Sequence, residues 1–193
     1  MRIFNMEGIR FDKVSRFKDV DLPLPTRGTE FSAGYDFIVA EDVVLKPYEH
    51  VSTILRNGVA LNDYWGYTKP VTLQEMAQAT KDLKAKVQLV STGMKAYMPQ
   101  GTYLELTMRS STPLKHWLIL ANSKGIIDAD YVDNPDNEGE IFMQIINLAP
   151  FAIQLKRGDK IGQGIFHRFE ITEDDAAKGK REGGLGSTGS TIS

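Results

Sequence analysis

The chain contains no cysteine in its 193 residues. Disulfides and thiolate metal sites are excluded, and with them the zinc nucleobase deaminases, which need a His/Cys/Cys or Cys₃ site. Long hydrophobic runs are missing as well. Nothing approaches the ~18 consecutive apolar residues of a membrane span. Met1-Arg2-Ile3-Phe4 lacks the apolar core of a signal peptide, so a cytoplasmic setting is expected, with no membrane partner. Net charge is only −2, which gives no global attraction to nucleic acid. An anionic ligand must be held by local positive groups. The three histidines, His50, His116 and His167, are scattered without ligand spacing and read as surface or packing residues.

What is present suits one sizeable core, or one domain with an accessory piece: 41% hydrophobic and 25% charged residues. Leu22-Pro23-Leu24-Pro25-Thr26-Arg27-Gly28-Thr29 reads as an extended lead-in. Short β-type runs follow at Phe37–Ala40, Val43–Leu45, Val51–Leu55, Tyr103–Met108, Trp117–Ala121, Ile141–Ile146, Phe151–Leu155 and Ile161–Phe169. Turn residues separate them, as in Arg56-Asn57-Gly58 and Arg157-Gly158-Asp159. Tyr103 to Met108 alternates cleanly, which predicts one buried face. Many short strands and few helices predict a sandwich, jelly roll or small barrel.

One segment departs from this. Thr72-Leu73-Gln74-Glu75 is a capping box, and Leu73, Met76, Ala77, Thr80, Leu83 and Val87 recur at helical spacing. A helix of about Leu73 to Val87 is predicted inside an insert of roughly residues 62–93. Its apolar stripe is expected to pack on the sheet; the alternative is a docking surface for another protein. The tail is polar and ends in Gly, Ser and Thr, a composition that reads as a disordered end.

Gly125-Ile126-Ile127-Asp128-Ala129-Asp130-Tyr131 by itself is a strand running into an acidic turn. Four other stretches stand around it in order: Ala33-Gly34-Tyr35-Asp36-Phe37, Met108-Arg109-Ser110-Ser111, Arg157-Gly158-Asp159-Lys160-Ile161-Gly162-Gln163, and Gly183-Gly184-Leu185-Gly186-Ser187-Thr188-Gly189. Together they resemble the five ordered motifs of the homotrimeric dUTPases of bacterial or bacteriophage type. The resemblance runs from about Leu24 to Gly189 apart from the insert. It implies an all-β, jelly-roll-like (β-clip) core over residues 1–176, interrupted at 62–93, and a C-terminal arm over 177–193. It also implies a homotrimer with sites built from several subunits, and Mg²⁺-dependent hydrolysis of dUTP to dUMP and pyrophosphate. That reaction supplies dUMP and keeps uracil out of DNA. The arm would then order over bound nucleotide, in its own or a neighbouring subunit's site.

The resemblance also assigns roles. Asp128 matches the aspartate that positions the water attacking the α-phosphorus, a task for a carboxylate within hydrogen-bond reach. Asp130 reads as a turn or trimer-contact residue. Tyr131 matches the ring beneath the deoxyribose, which would clash with a 2′-hydroxyl and so reject UTP. Asn122 matches the residue beside the uracil edge, with Gly125 and Ile127 also on the substrate-binding side. Arg109, Ser110 and Ser111 match the Arg-Ser-Gly motif at the phosphates, with serine where the second small residue is usually glycine. Gln163 matches a phosphate-contacting position, while the Gly158-Asp159 pair reads as a hairpin turn. Asp36 matches the acid that reaches Mg²⁺ through water, the metal being held mainly by substrate oxygens.

The fifth motif is altered. Gly186, Ser187 and Thr188 suit β- and γ-phosphates, but Leu185 stands where a phenylalanine usually stacks on uracil, and stacking there should be weaker. Lys180 occupies the usual register of an arginine and Arg181 follows it; which one grips the γ-phosphate is open. The turn between Tyr131 and Gly139-Glu140 is longer than usual. Two other functions bear comparison. A dCTP deaminase of the same fold would need a glutamate where Gln144 stands. A nucleotide-responsive regulator acting through the insert would not need Asp128, Arg109, Tyr131 and Gln163 all in place.

Overall fold

The computed structural model describes residues 8–48, 87–179, 181 and 183. The fold is all-β and jelly-roll-like, with twelve strands among these residues. Its principal sheet has five, in the order β2 (Thr26–Arg27), β3 (Tyr35–Ile38), β12 (Lys160–Arg168), β7 (Thr102–Met108) and β9 (Gly125–Asp128), all antiparallel. A three-stranded sheet runs β5 (Gln88–Ser91), β10 (Phe142–Asn147), β8 (Leu118–Leu120). Two pairs complete the set: β1 (Arg10–Lys13) with β6 (Met94–Tyr97), and β4 (Val43–Leu45) with β11 (Ile153–Leu155).

Phe37, Leu104, Leu106 and Ile161 of the large sheet join Val90, Leu118, Met143 and Ile145 of the smaller one in a single core. Each such side chain contributes about 1.5–3 kcal/mol when fully buried. Two glycines of β12 permit the close packing. A Cβ on Gly164 would lie 2.7 Å from Phe37 Cε2 and 2.8 Å from Leu104 Cδ1, and one on Gly162 would overlap the end of Met143. The alternation of β7 is broken at Glu105, which is buried because Lys124 Nζ pairs with it at 2.9 Å.

Most expected strands are present within a residue or two, and two differences have physical causes. Gln88–Ser91, assigned to the insert from sequence, forms β5 and pairs with β10. The core therefore resumes before residue 93. The run expected as a strand from Trp117 begins one residue later, because Trp117 ends a short helix α1 (Ser111–His116). Pro113 sits in that helix's first turn, where its missing N–H costs nothing. Trp117 closes it in the left-handed conformation (φ 56°), donating to Pro113 O at 3.2 Å. The strand expected at Val51–Leu55 lies outside the described residues, as does the helix expected at about Leu73 to Val87, but for Val87.

Candidate functional site

The motif residues gather into two groups on the large sheet. In the first, Asp36 of β3 faces Gln163 of β12, which faces Thr107 of β7. The Asp36 side chain is only 12% exposed, yet both carboxylate oxygens are matched by cations. Arg109 Nε donates to Oδ1 at 3.0 Å and Lys160 Nζ to Oδ2 at 2.9 Å. Arg109 leaves β7 directly after Met108, and Ser110 and Ser111 follow it into α1. Ser111 is absent from the residues with positive φ, so the serine in the usual glycine position carries no left-handed strain. Gln163 lies against Gly34, where any Cβ would collide with its side chain, and its Nε2 is 3.5 Å from Thr107 Oγ1. Gly34 is thus the residue that leaves room for Gln163.

The second group stands where β9 ends. β9 is the edge strand, paired on one side to β7, and among the described residues its other backbone edge is unpaired. Ile127 is buried, and a Cβ on Gly125 would meet Leu106 at 3.2 Å, so at these positions the backbone is what a ligand could read. Asn122 is exposed in the preceding turn, its carbonyl accepting from Lys124 N at 2.5 Å. At the far end Tyr131 N donates to Asp128 O at 3.1 Å, turning the chain so that Asp128 and Asp130 both point outward. Arg181 binds the pair: Nη2 to Asp128 Oδ2, and Nε to Asp130 Oδ1 at 2.9 Å. Its guanidinium also lies 5.5 Å from the centre of the Tyr131 ring. The Asp128 side chain nevertheless stays 52% exposed.

The family model for dUTPase matches residues 75–190 of the chain. The deoxyuridine 5'-triphosphate nucleotidohydrolase of Lactococcus lactis is 35% identical over 181 residues, 93% of this chain and 96% of that one. The chain is a member of the dUTPase family. A second dUTPase relative, from Zymomonas mobilis, is 30% identical over 176 residues, covering 88% of this chain and 90% of its own. The crystal structure of the Streptococcus mutans dUTPase superposes with a TM-score of 0.63 at 33% identity, covering 84% of this dUTPase-family chain and 98% of that chain.

Within one chain the two groups of dUTPase motif residues do not meet. Asp128 pairs with Tyr103 at one end of β7, whereas Gln163 pairs with Thr107 and Arg109 follows Met108 at the other. At about 3.3 Å per residue, Asp128 is offset from Gln163 by ~13 Å and from Arg109 by ~20 Å along the strand. One contributor went unnoticed in the sequence: Lys160, which shares Asp36 with Arg109, and a charge inside a motif was the only signal it gave. Asp130, read from sequence as a turn or trimer-contact residue, shares Arg181 with Asp128. Lys180, Leu185, Gly186, Ser187 and Thr188 lie outside the described residues.

Among the described residues no group of three or more His, Asp or Glu could hold a metal ion. Asp36, the residue expected to reach Mg²⁺, already faces two cations. A third positive charge there suits this donor set only when it arrives with the negative charges of a triphosphate. The described residues form no cage for a divalent ion, and Asp36 could meet Mg²⁺ only through water, with the metal held by substrate oxygens. No helix among the described residues is long and apolar enough to cross a membrane.

Proposed function

We propose that this chain hydrolyses dUTP to dUMP and pyrophosphate, with Asp128 as the general base. The observation that carries the reading is the placement of Asp128. It is an exposed carboxylate at the tip of an edge strand, next to Tyr131, with Arg181 taking only one of its oxygens. Asp128 accepts a proton from a water, the water oxygen bonds to the α-phosphorus, and the bond from that phosphorus to the bridging oxygen breaks. Pyrophosphate leaves with the electron pair. Such general-base help contributes on the order of 10²–10⁴ in rate.

The free edge of β9 suits the uracil, whose pairing groups need backbone donors and acceptors at fixed spacing. Such a pocket rejects cytosine, whose amino group donates where uracil accepts, and thymine by lack of room. Tyr131 lies under the deoxyribose. Arg109, Ser110, Ser111 and Gln163 serve the phosphates, and Arg181 adds positive charge beside the reacting end. Mg²⁺, when bound with the substrate and reached by Asp36 through water, would screen the phosphate charge. Gln144, on β10, bears an amide, which cannot move protons as a deaminase glutamate would.

The offset between Asp128 and Arg109 supports a further part of the reading. One triphosphate cannot touch both in one protomer, so a site containing both takes its halves from neighbouring copies. A closed cyclic trimer repeats that junction three times. The test is hydrolysis of dUTP, dCTP and UTP with Mg²⁺, by the wild type and by Asp128→Asn. Release of pyrophosphate from dUTP alone is expected, with kcat lowered about 10²–10⁴-fold in the variant and dUTP binding nearly intact. Single-turnover rates close to wild type in Asp128→Asn would remove Asp128 from the role.

A further inference from the structure

We propose that Asn137 is the positioning residue that fixes the Tyr131 ring as a rigid floor and thereby sets the preference for deoxyribose over ribose. This rests on the reading of Tyr131 as the ring beneath the sugar. A ring excludes a 2′-hydroxyl only if it cannot tilt away, so what holds Tyr131 matters as much as the ring itself.

Tyr131 is 4% exposed and is held at both ends. Its hydroxyl donates to Glu140 O at 3.0 Å and accepts from Asn137 Nδ2 at 2.8 Å. Its carbonyl accepts from Asn134 Nδ2 at 2.8 Å. Asn137 is in turn immobilised. Its Oδ1 accepts from Asn134 Nδ2 at 2.7 Å and from Gly139 N at 3.1 Å, and its N–H donates to Asn134 Oδ1 at 3.2 Å. Glu140, whose carbonyl accepts from the phenol, is fixed by its own N–H to Asn137 O at 3.0 Å. Its buried carboxylate is held by Arg16 Nη2 at 2.7 Å and by Ser91. Gly139 makes the fold-back possible: its φ is +79°, and a Cβ would stand 2.6 Å from Val132 Cα.

Among the described residues Asn137 is therefore the one side chain that bonds the phenol oxygen, and it does so from the part of the loop where this chain is longer than the usual motif. The longer loop returns to the ring rather than running free. Burial raises the pKa of the phenol above its ordinary value of 10.0, with the Asn137 bond opposing. The hydroxyl thus remains a donor at neutral pH and needs an acceptor and a donor partner together.

The experiment compares kcat/KM for dUTP and UTP in the full chain, for Asn137→Ala and for Asn137→Leu. The leucine keeps the bulk but carries no group that can bond the phenol. The dUTP:UTP ratio should fall about five- to tenfold in both, the range of one lost hydrogen bond. kcat for dUTP should stay within about threefold, because Asp128 is untouched. In a Tyr131→Phe background, which lacks the hydroxyl, Asn137→Ala should change the ratio no further. A lowered Tm with an unchanged ratio in both variants would overturn the proposal and leave Asn137 as a loop-stability residue. Tyr131→Ala separates the two levels. If it abolishes discrimination while the Asn137 variants do not, the proposal fails and the sugar-floor reading stands. If it too leaves the ratio intact, the reading of Tyr131 fails and the proposal with it.

Discussion

Asp128 and Gln163 are paired to the same strand four residues apart, Asp128 opposite Tyr103 and Gln163 opposite Thr107. Because strand residues advance by about 3.3 Å, this register alone fixes how far the Asp128 group lies from the Gln163 and Arg109 group. The large sheet presents the two groups at different rims, and the proposed chemistry requires copies of the chain to bring those rims together.

Asp36 ties Arg109 and Lys160 together. With Arg109 at 3.0 Å and Lys160 at 2.9 Å, its loss leaves two cations facing each other. Asp36→Asn should lower stability by about 1.5–3 kcal/mol, the cost of losing charge-assisted bonds, and reduce kcat/KM for dUTP by roughly tenfold or more. Denaturant unfolding and steady-state kinetics measure the two. A double-mutant cycle with Arg109→Met should show strong coupling; additive effects would mean that Asp36 does not act through Arg109.

Whether Lys180 or Arg181 serves the γ-phosphate is tested best at Arg181, the one of the two that lies within the described residues. It bridges Asp128 and Asp130 and covers Tyr131, a fork geometry that an ammonium group cannot reproduce. Arg181→Lys should therefore rescue little. Both Arg181→Ala and Arg181→Lys are expected to lose about tenfold or more in kcat/KM, while Lys180→Ala loses little. Equal losses at 180 and 181 would assign the phosphate contact to both.

Glu138 gives the fold a pH dependence at low pH. Ser15 donates to its carboxylate through both Oγ and the backbone N–H, the latter at 3.0 Å. These bonds hold Glu138 below its ordinary value of 4.5. A carboxylate depressed on folding contributes stability that is complete above its unfolded pKa and is lost as pH falls through the folded one. Ser15→Ala should thus lower Tm at neutral pH, and the gap from wild type should close as pH drops below about 4. A gap that stays constant down to acid pH would show that the carboxylate is not what Ser15 stabilises.

The apolar strands were legible because period-two burial leaves a local mark: β4, β7, β10, β11 and β12 stand close to where alternation and turn residues put them. β1 was not, since Arg10-Phe11-Asp12-Lys13 offers one apolar residue and sits half-exposed against β6. Nor was β5, whose Gln88-Leu89-Val90-Ser91 follows directly on a helical pattern and was assigned with it to the insert. α1 hid behind a Ser-Ser-Thr-Pro string that reads as a turn. At the site, the motif residues themselves were legible. Their partners were not, because Lys160 on Asp36, Arg181 on Asp128 and Asn137 on Tyr131 are contacts that only the folded chain creates. The offset of Asp128 from Arg109 likewise follows from strand register, which no single motif carries.

The most direct test of the account is complementation between two inactive variants, Asp128→Asn and Arg109→Ala, coexpressed so that mixed assemblies form. A site whose halves come from different copies predicts that each variant alone is nearly inactive and that the mixture regains a substantial fraction of wild-type dUTP hydrolysis. Mixed assemblies as inactive as either parent would place both residues in one protomer's site and contradict the account.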